Sequence, residues 1–287
     1  MATLNAASKS PYAVGVALLL VSAVAFSSTG VFAKGVEAGA WAVIFWRGVF
    51  AATSTTLWAV SRGGLHREFF GMGCAGRAVG VVGAMGTAAL IPAFKLTTVA
   101  NVALIYAAAP FLAAFMAGVA ISERVSKLTA LGAGGALLGV GSIVSGSIGQ
   151  VNLMGDALAL AMTLAMSIIM VIYRACPETP SAGPSVLQSV LLFPFAITFG
   201  APFSIAPVEM AILAGFGVFH AIASVTLAEG AKRVPAGQTA LIGALETPLA
   251  PVLALLILRD VPSLTTLTGG AIVLTAVLVS MGQKPAE

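Results

Sequence analysis

Residues 155–174 read G-D-A-L-A-L-A-M-T-L-A-M-S-I-I-M-V-I-Y-R, and only Asp156 and Arg174, at the two ends of the run, are charged. A hydrocarbon core of about 30 Å needs roughly 20 apolar residues in a helix. The run therefore has the length and composition of one transmembrane helix.

The rest of the chain has the same character. Its 287 residues are 59% hydrophobic and 8% charged, with a mean hydropathy of +1.05. A soluble protein carries about a quarter charged residues, so this chain has too little polar surface to cover a globule in water. Strands of a membrane β-barrel alternate polar and apolar residues, which these Gly- and Ala-rich runs do not. The composition predicts an all-α integral membrane protein.

Apolar runs of membrane-spanning length recur between charges and turn residues. Because nine more runs follow the first one, we interpret the first as an uncleaved helix rather than a secretory signal. The ten predicted spans lie near residues 12–33, 40–60, 75–94, 100–120, 128–146, 154–173, 184–203, 208–229, 237–258 and 264–282.

The distribution of Lys and Arg predicts the orientation, because cytoplasmic loops carry an excess of these residues. With a cytoplasmic N-terminus, the outer segments hold only Lys34, Lys95 and Arg259. The inner segments hold Lys9, Arg62, Arg67, Arg77, Arg124, Lys127, Arg174, Lys232, Arg233 and Lys284. Both termini are therefore expected in the cytoplasm. The net charge of +4 reports this topology and does not indicate a nucleic-acid partner.

The first predicted span resembles the sixth. G-V-A-L-L-L-V-S-A-V-A-F-S-S-T-G-V-F-A-K, residues 15–34, aligns with residues 155–174, and Ser27 then matches Ser167. Both runs begin at a glycine and end at a base. This match indicates that the chain contains an internal repeat.

Further matches follow in the same order. F-K-L-T-T-V-A-N from Phe94 aligns with K-R-V-P-A-G-Q-T from Lys232, and in this register Pro110 matches Pro248. We predict two five-span units, residues 1–147 and 148–287. Because five is odd, the second unit enters the membrane from the opposite side. Such inverted repeats are typical of transporters that work by alternating access.

Short motifs in a characteristic order give the chain a resemblance to a known family. They are F-W-R (residues 45–47), A-F-K-L-T (93–97), A-P (109–110), S-E-R (122–124), G-D (155–156), A-K-R-V (231–234) and E-T-P (246–248). Together they resemble the EamA family of the drug/metabolite transporter superfamily. One departure is Arg259-Asp260, where the family often has Gly-Glu.

The resemblance implies a secondary transporter that exports small metabolites across a bacterial-type cytoplasmic membrane without ATP. Within the family, the chain is most similar to the YddG-type exporters of amino acids, including aromatic ones. The resemblance also implies that the two repeats surround a central cavity lined by spans one, three, four, six, eight and nine. The expected partners are a small-molecule substrate, the lipid bilayer and possible coupling protons, with no cofactor.

Glu246 is the acid placed deepest in a predicted span, with Pro248 and Pro251 just behind it. One interpretation is a carboxyl group in a cavity of low dielectric, which carries a proton or binds a substrate ammonium group. The other is a structural partner for backbone groups that the prolines leave unpaired. In the repeat register Glu246 pairs with Ala108, so the acid belongs to one half alone.

Other polar residues within the spans are further candidates for substrate contact or coupling. His220 can relay protons or bind a carboxylate, or it can make an interhelical hydrogen bond. Serine in a membrane helix usually bonds its own backbone, and Arg47 is interpreted as a structural or snorkelling base. The candidates besides Glu246 are His220, Asn101, Tyr106, Gln238, Thr239 and Ser27.

Four prolines within the spans are candidates for helix breaks or hinges, because proline removes a backbone hydrogen bond. They are Pro92, Pro110, Pro248 and Pro251.

Two other functions compete with metabolite export. In one, a proton-coupled exporter of lipophilic or cationic drugs uses Glu246 to bind the cation. In the other, the chain is an intramembrane enzyme or a structural membrane subunit. The sequence contains no CxxC, HExxH, Walker A or GxSxG motif, so we predict neither catalytic residues nor a metal site.

Overall fold

The computed structural model describes residues 10–97, 102, 105–145, 152–258 and 264–281, and within these ranges the regular structure is entirely helical. This agrees with the prediction of an all-α protein. The helices with described bounds are α1 (Pro11–Ser27), α2 (Thr29–Lys34), α3 (Ala40–Ser61), α4 (Leu65–Phe69), α5 (Gly73–Leu96), α6 (Ala109–Ile121), α7 (Lys127–Ser145), α8 (Leu153–Ala175), α9 (Ala182–Phe199), α10 (Pro207–Ala231), α11 (Ala236–Gly243), α12 (Glu246–Leu258) and α13 (Leu264–Met281).

The first helix of each half has a side-chain cap at its N-terminus. The hydroxyl of Ser10 accepts a hydrogen bond from the Ala13 amide at 3.2 Å, and Pro11 occupies the first helical position. The side chain of Asn152 accepts from the Gly155 amide at 3.0 Å. These caps satisfy backbone donors that a helix start leaves unbonded, which fixes where α1 and α8 begin.

Among the described residues, five helices are long and apolar enough to cross a membrane: α3, α5, α8, α9 and α10. The chain is therefore a multi-pass membrane protein. Helices α1 and α6 and the segment Leu267–Val279 of α13 are apolar but shorter. The prediction of ten crossings goes beyond these five helices and stays a prediction.

The two halves pack in matching pairs. Helix α1 lies along α10 as α8 lies along α5, and α3 contacts α10 as α9 contacts α5. The remaining long pairs join equivalent helices of the two halves, α3 with α9 and α7 with α13. Exchanging the halves therefore leaves these helix pairs unchanged.

Two glycines lie at equivalent close contacts in the two halves. A Cβ added to Gly15 would lie 2.7 Å from Cβ of Arg233, and one added to Gly155 would lie 2.8 Å from Cβ of Thr97. Both distances are shorter than real Cβ contacts, so only glycine fits at either position. The repeat alignment pairs Gly15 with Gly155, and the structure gives both residues the same task.

Helix breaks also occur at matching places. A turn at Ala107–Ala108 precedes α6, and a turn at Ala244–Leu245 precedes α12. Pro110 and Pro248 follow these turns in the first turn of the next helix. The missing N–H of a proline costs least there, because the first amides of a helix have no intrahelical partner. The prolines therefore stand just after the breaks.

The other predicted breaks have different outcomes. Helix α5 is continuous through Pro92, so the break predicted there is absent. Pro92 lies in the last turns of α5, where the loss of one hydrogen bond interrupts little of the helix. Pro251 lies inside α12, and its side chain is outside the described part of the chain. A break that the prolines did not predict separates α1 from α2 at Ser28.

Candidate functional site

Glu246 is the first residue of α12, directly after the break that divides the ninth predicted span. Its side chain is half-buried. Within the described residues its carboxyl group has neither a hydrogen bond nor an ion pair, so the predicted bonds to backbone groups near the prolines are not formed. The amide end of a helix favours a negative charge, which makes this position compatible with a carboxylate.

Tyr106 lies near the same break, within electrostatic range of the Glu246 carboxyl group. The phenol is buried, with 5% of the residue exposed, and its hydroxyl lies 3.5 Å from where a Cβ on Gly243 would be. The terminal methyl group of Met170 lies 3.9 Å from the same point. The break thus brings one acid and one phenol together against an apolar wall.

His220 belongs to a second group of polar side chains, formed by α3, α5, α9 and α10. Its Nε2 atom lies 3.4 Å from Nε2 of Gln188 and 3.4 Å from the hydroxyl of Ser224. The Gln188 amide donates to the hydroxyl of Thr87 at 2.9 Å. The same hydroxyl accepts from Nη2 of Arg47 at 3.3 Å. We call Arg47, Thr87, Gln188 and His220 the arginine cluster.

Arg47 is buried, with 3% of its surface exposed, so its interpretation as a snorkelling base is wrong. It lies seven residues into α3, about 10 Å along the helix axis from the first residue. At this depth neighbouring helices enclose the side chain, so its guanidinium does not extend to the membrane–water interface. Its Cζ atom lies 5.3 Å from the centroid of the Phe216 ring, and its Nε atom has no hydrogen-bond partner among the described residues.

Glycines allow the helices that carry the arginine cluster to approach closely. A Cβ on Gly217 of α10 would lie 2.4 Å from Cβ of Phe50 on α3. A Cβ on Gly83 of α5 would lie 2.2 Å from the side-chain oxygen of Gln188 on α9. Small residues at helix contacts in membranes permit such approaches. They place side chains from four helices within hydrogen-bond reach.

The remaining predicted residues lie elsewhere. Gln238 is buried near the start of α11 and accepts from the Tyr12 hydroxyl at 3.1 Å. The Thr239 hydroxyl, fully buried, donates to the Val234 carbonyl at 3.3 Å. Ser27 donates to the Val24 carbonyl of its own helix at 2.6 Å. Asn101 lies outside the described residues. The structure therefore brings Glu246 and Tyr106 together and places His220 in a different group.

Sequence reasoning missed most of the arginine cluster. The sequence patterns single out neither Thr87 nor Gln188, and they leave Arg47 as a structural or snorkelling base. The available signal was Gln188, a strongly polar residue in the middle of the otherwise apolar α9. A strongly polar group at membrane depth needs a partner, which is reason to search for one.

Charged side chains join helix ends on the side predicted to be cytoplasmic. Glu123 forms an ion pair with Arg174 at 2.6 Å and accepts from the Ala236 amide at 2.9 Å. Glu229 pairs with Lys232 at 2.6 Å and with Arg233 at 2.8 Å.

A surface cavity lies at the opposite end of the bundle. It has a volume of about 870 Å³ and lies between the ends of α2 and α9 and the starts of α3 and α10, with Glu37, Trp41 and Glu209 in its wall. Its residues are not among the predicted site residues. No group of three or more His, Cys, Asp or Glu side chains suited to a metal occurs in the described ranges.

The EamA-like transporter family matches residues 13–145 and 153–282, one copy in each half of the chain. The chain belongs to the EamA-like transporter family. Members of the family are transporters and not enzymes, and the two EamA units are consistent with the repeat seen in the helix packing. The family thereby makes this chain a membrane transporter of small solutes.

A solved crystal structure has the same fold as this EamA protein. It aligns with a TM-score of 0.74 and 21% identity, over 94% of this chain and 96% of the other. At that identity the likeness concerns the fold alone. No curated protein matches the chain.

Proposed function

We propose that this EamA protein is a secondary transporter that exports amino acids, including aromatic and hydrophobic ones, by alternating access. Ten membrane-crossing segments in two inverted five-helix repeats surround its central cavity. It resides in a bacterial cytoplasmic membrane with both termini inside. The observation that carries this proposal is the pair of matching helix breaks, of which one presents the carboxyl group of Glu246, which bonds to no described residue.

Discontinuous helices at equivalent places in two repeats are a common design for transporter binding sites near the bilayer midplane. Here Tyr106 precedes the break before α6 and lies within electrostatic range of Glu246, which follows the break before α12. A carboxyl group without a protein partner can bind a substrate ammonium group or a proton. The apolar residues around it suit the side chain of a hydrophobic amino acid.

Uptake by proteoliposomes across a panel of labelled amino acids tests the proposal. Wild-type protein is expected to take up phenylalanine, tyrosine or leucine, and Glu246→Gln and His220→Ala are expected to slow uptake. Failure of wild type to transport any amino acid would contradict amino-acid export. Proton coupling predicts that uphill transport stops when the pH gradient is collapsed, and undiminished uphill transport would exclude it.

A proton-coupled exporter of lipophilic cations is the second candidate, because Glu246, with no partner in the described ranges, lies among apolar residues. Its signature is a Glu246→Gln variant that loses efflux of a lipophilic cation and keeps amino-acid efflux. Loss of both activities favours the amino-acid exporter.

A further inference from the structure

We propose that Arg47, Thr87 and Gln188 form a subsite that binds the carboxylate group of the transported solute, an assignment that rests on the proposed function. Arg47 and Gln188 stand on α3 and α9, the second and seventh predicted spans, so the subsite adds these two spans to the cavity lining that the resemblance implies. Glu246 belongs to the other group and then serves a coupling proton.

Arg47 carries a buried positive charge that no acid in the described part of the chain neutralises. The ion pairs found there join Glu123 to Arg174, and Glu229 to Lys232 and Arg233. A charge is costly at membrane depth unless it is paired, and arginine stays charged. The cost is offset when an anion binds beside it.

The arginine cluster has more donors than acceptors. A guanidinium has five N–H donors, and for Arg47 the structure shows one hydrogen bond to Thr87 and an unpartnered Nε. The Thr87 hydroxyl accepts from both Arg47 and Gln188, so its own hydrogen is available to donate. A carboxylate is acceptor-only and can accept two parallel bonds from a guanidinium, so it complements this arrangement.

Aromatic rings cover the flat face of the guanidinium and leave its donor edge to other partners. Arg47 lies over Phe216, which stacks on Phe32 with centroids 5.4 Å apart. A cation–π contact uses the face of the ion, whereas Nε and the Nη atoms donate in the plane. Phe26 packs edge-on against His220 at 5.9 Å. An aromatic wall therefore adjoins the cluster, which suits a solute with a carboxylate and an apolar side chain.

Ligand-induced thermal stabilisation of purified protein tests the subsite without relying on transport. The probes are phenylalanine, 3-phenylpropionate, which has only the carboxylate, and phenethylamine, which has only the amine. We expect Arg47→Gln to weaken binding of both carboxylates by about tenfold or more, the size of a lost charge-assisted hydrogen bond. The affinity of Arg47→Gln for phenethylamine is expected to stay within about twofold of the wild-type affinity, because this ligand has no carboxylate.

Two further variants guard against a misfolded Arg47→Gln. Thr87→Val conserves the volume of the side chain and leaves the charge of Arg47 in place. It is expected to weaken carboxylate binding by about three- to tenfold through one lost hydrogen bond. Arg62→Gln removes an exposed arginine at the end of the same helix, and it is expected to bind like wild type. Unchanged carboxylate binding in folded Arg47→Gln, or in Thr87→Val if the former does not fold, overturns the subsite.

The source of the anion is tested by titrating chloride in place of the carboxylates. Stabilisation by chloride that depends on Arg47 and is not competed by 3-phenylpropionate would overturn the solute assignment, since the site would then hold a resident inorganic anion. Competition between the two supports it.

The two proposals fail separately. A wild-type protein that transports phenylalanine, with an Arg47→Gln variant of unchanged affinity, overturns the subsite and leaves export intact. Arg47-dependent binding of 3-phenylpropionate without transport of any amino acid overturns the exporter and supports the subsite.

Discussion

The two halves of the molecule share one scaffold and differ in their chemistry. Gly15 and Gly155 make equivalent contacts, and a helix break precedes Pro110 in one half and Pro248 in the other. At the second break, however, the chain carries Glu246, whereas the matching residue of the first half is Ala108.

The arginine cluster shows the same asymmetry. In the register that pairs Phe94 with Lys232, His220 pairs with Val82. Packing constraints act on both copies of a repeat, so glycines and break positions recur. A solute has no such symmetry, and a site that distinguishes its two ends needs different residues from each half.

The largest expected effect concerns the two helix breaks. Replacing Glu246 by Gln removes the charge at nearly constant volume, and we expect the transport rate to fall roughly 10- to 100-fold, since hydrogen bonds to charged groups contribute about 1.5–3 kcal/mol. The measurement is the initial rate of phenylalanine uptake into proteoliposomes.

The matched control is Ala108→Ser, a small change at the equivalent place, and its uptake rate is expected within about twofold of wild type, a small effect on this scale. Because Glu246 bonds to no described residue, the melting temperature of the Glu246→Gln protein should differ little from that of wild type. A lower melting temperature with unimpaired uptake would identify Glu246 as a structural anchor instead.

The equivalent glycine contacts come next. Gly15→Ala and Gly155→Ala each place a methyl group where no Cβ fits, and we expect both to lower the free energy of unfolding by about 1–3 kcal/mol. Chemical unfolding in detergent, followed by circular dichroism, measures the change.

Gly134→Ala is the control, because a Cβ there meets nothing within 4 Å. It is expected to be neutral or to stabilise α7 by up to about 1 kcal/mol, the difference in helix propensity. Strongly unequal effects of the Gly15 and Gly155 substitutions would contradict the equivalence of the two contacts.

A smaller effect tests the asymmetric cluster. Gly83→Ala crowds the side-chain oxygen of Gln188 at 2.2 Å, and the amide can move only by disturbing its bond to Thr87. We expect Gly83→Ala to destabilise the protein less when Gln188→Ala is already present, with a coupling energy of about 1 kcal/mol in a double-mutant cycle. Additive effects would show that the two side chains do not meet.

The smallest effect concerns the ion pairs at the predicted cytoplasmic end. Glu123→Gln removes the charge opposite Arg174, whose side chain is 30% exposed, and should cost about 0.5–1 kcal/mol because solvent screens the pair. The thermal shift should shrink in high salt.

Asp156→Asn at the other end is the comparison. Asparagine still accepts the hydrogen bond that Thr97 donates to Asp156 at 2.9 Å, so stability should change less and without a salt dependence. An equal, salt-dependent loss at both ends would contradict the difference between them.

The sequence predicted the class of fold and several of its parts. Apolar runs between charges located the helices, and self-similarity located the repeat that the family match and the helix packing support. The sequence also identified Glu246 as an acid deep within a predicted span and therefore as a candidate functional residue. The break predicted at Pro92 is absent because the loss of one hydrogen bond in the last turns of α5 does not end the helix.

The arginine cluster was beyond prediction for a different reason. Thr87 is hydrogen-bonded to Arg47 and to Gln188, which lie 40 and 101 positions away from it along the chain. Helical periodicity tells which residues share a face of one helix, but it does not tell which face of another helix lies opposite. Only the tertiary structure shows that α3, α5, α9 and α10 contact one another at these residues.

The sequence by itself determined that this protein lies in a membrane, that it is helical and that it contains two related halves. Those properties follow from hydrophobicity and backbone hydrogen bonding, which act locally and repeat when the sequence repeats. Only the tertiary structure decided that a buried arginine, a threonine and a glutamine meet, and that Glu246 bonds to none of its described neighbours. Such contacts depend on the close approach of helices at Gly83 and Gly217 and on the rotation of each helix about its axis.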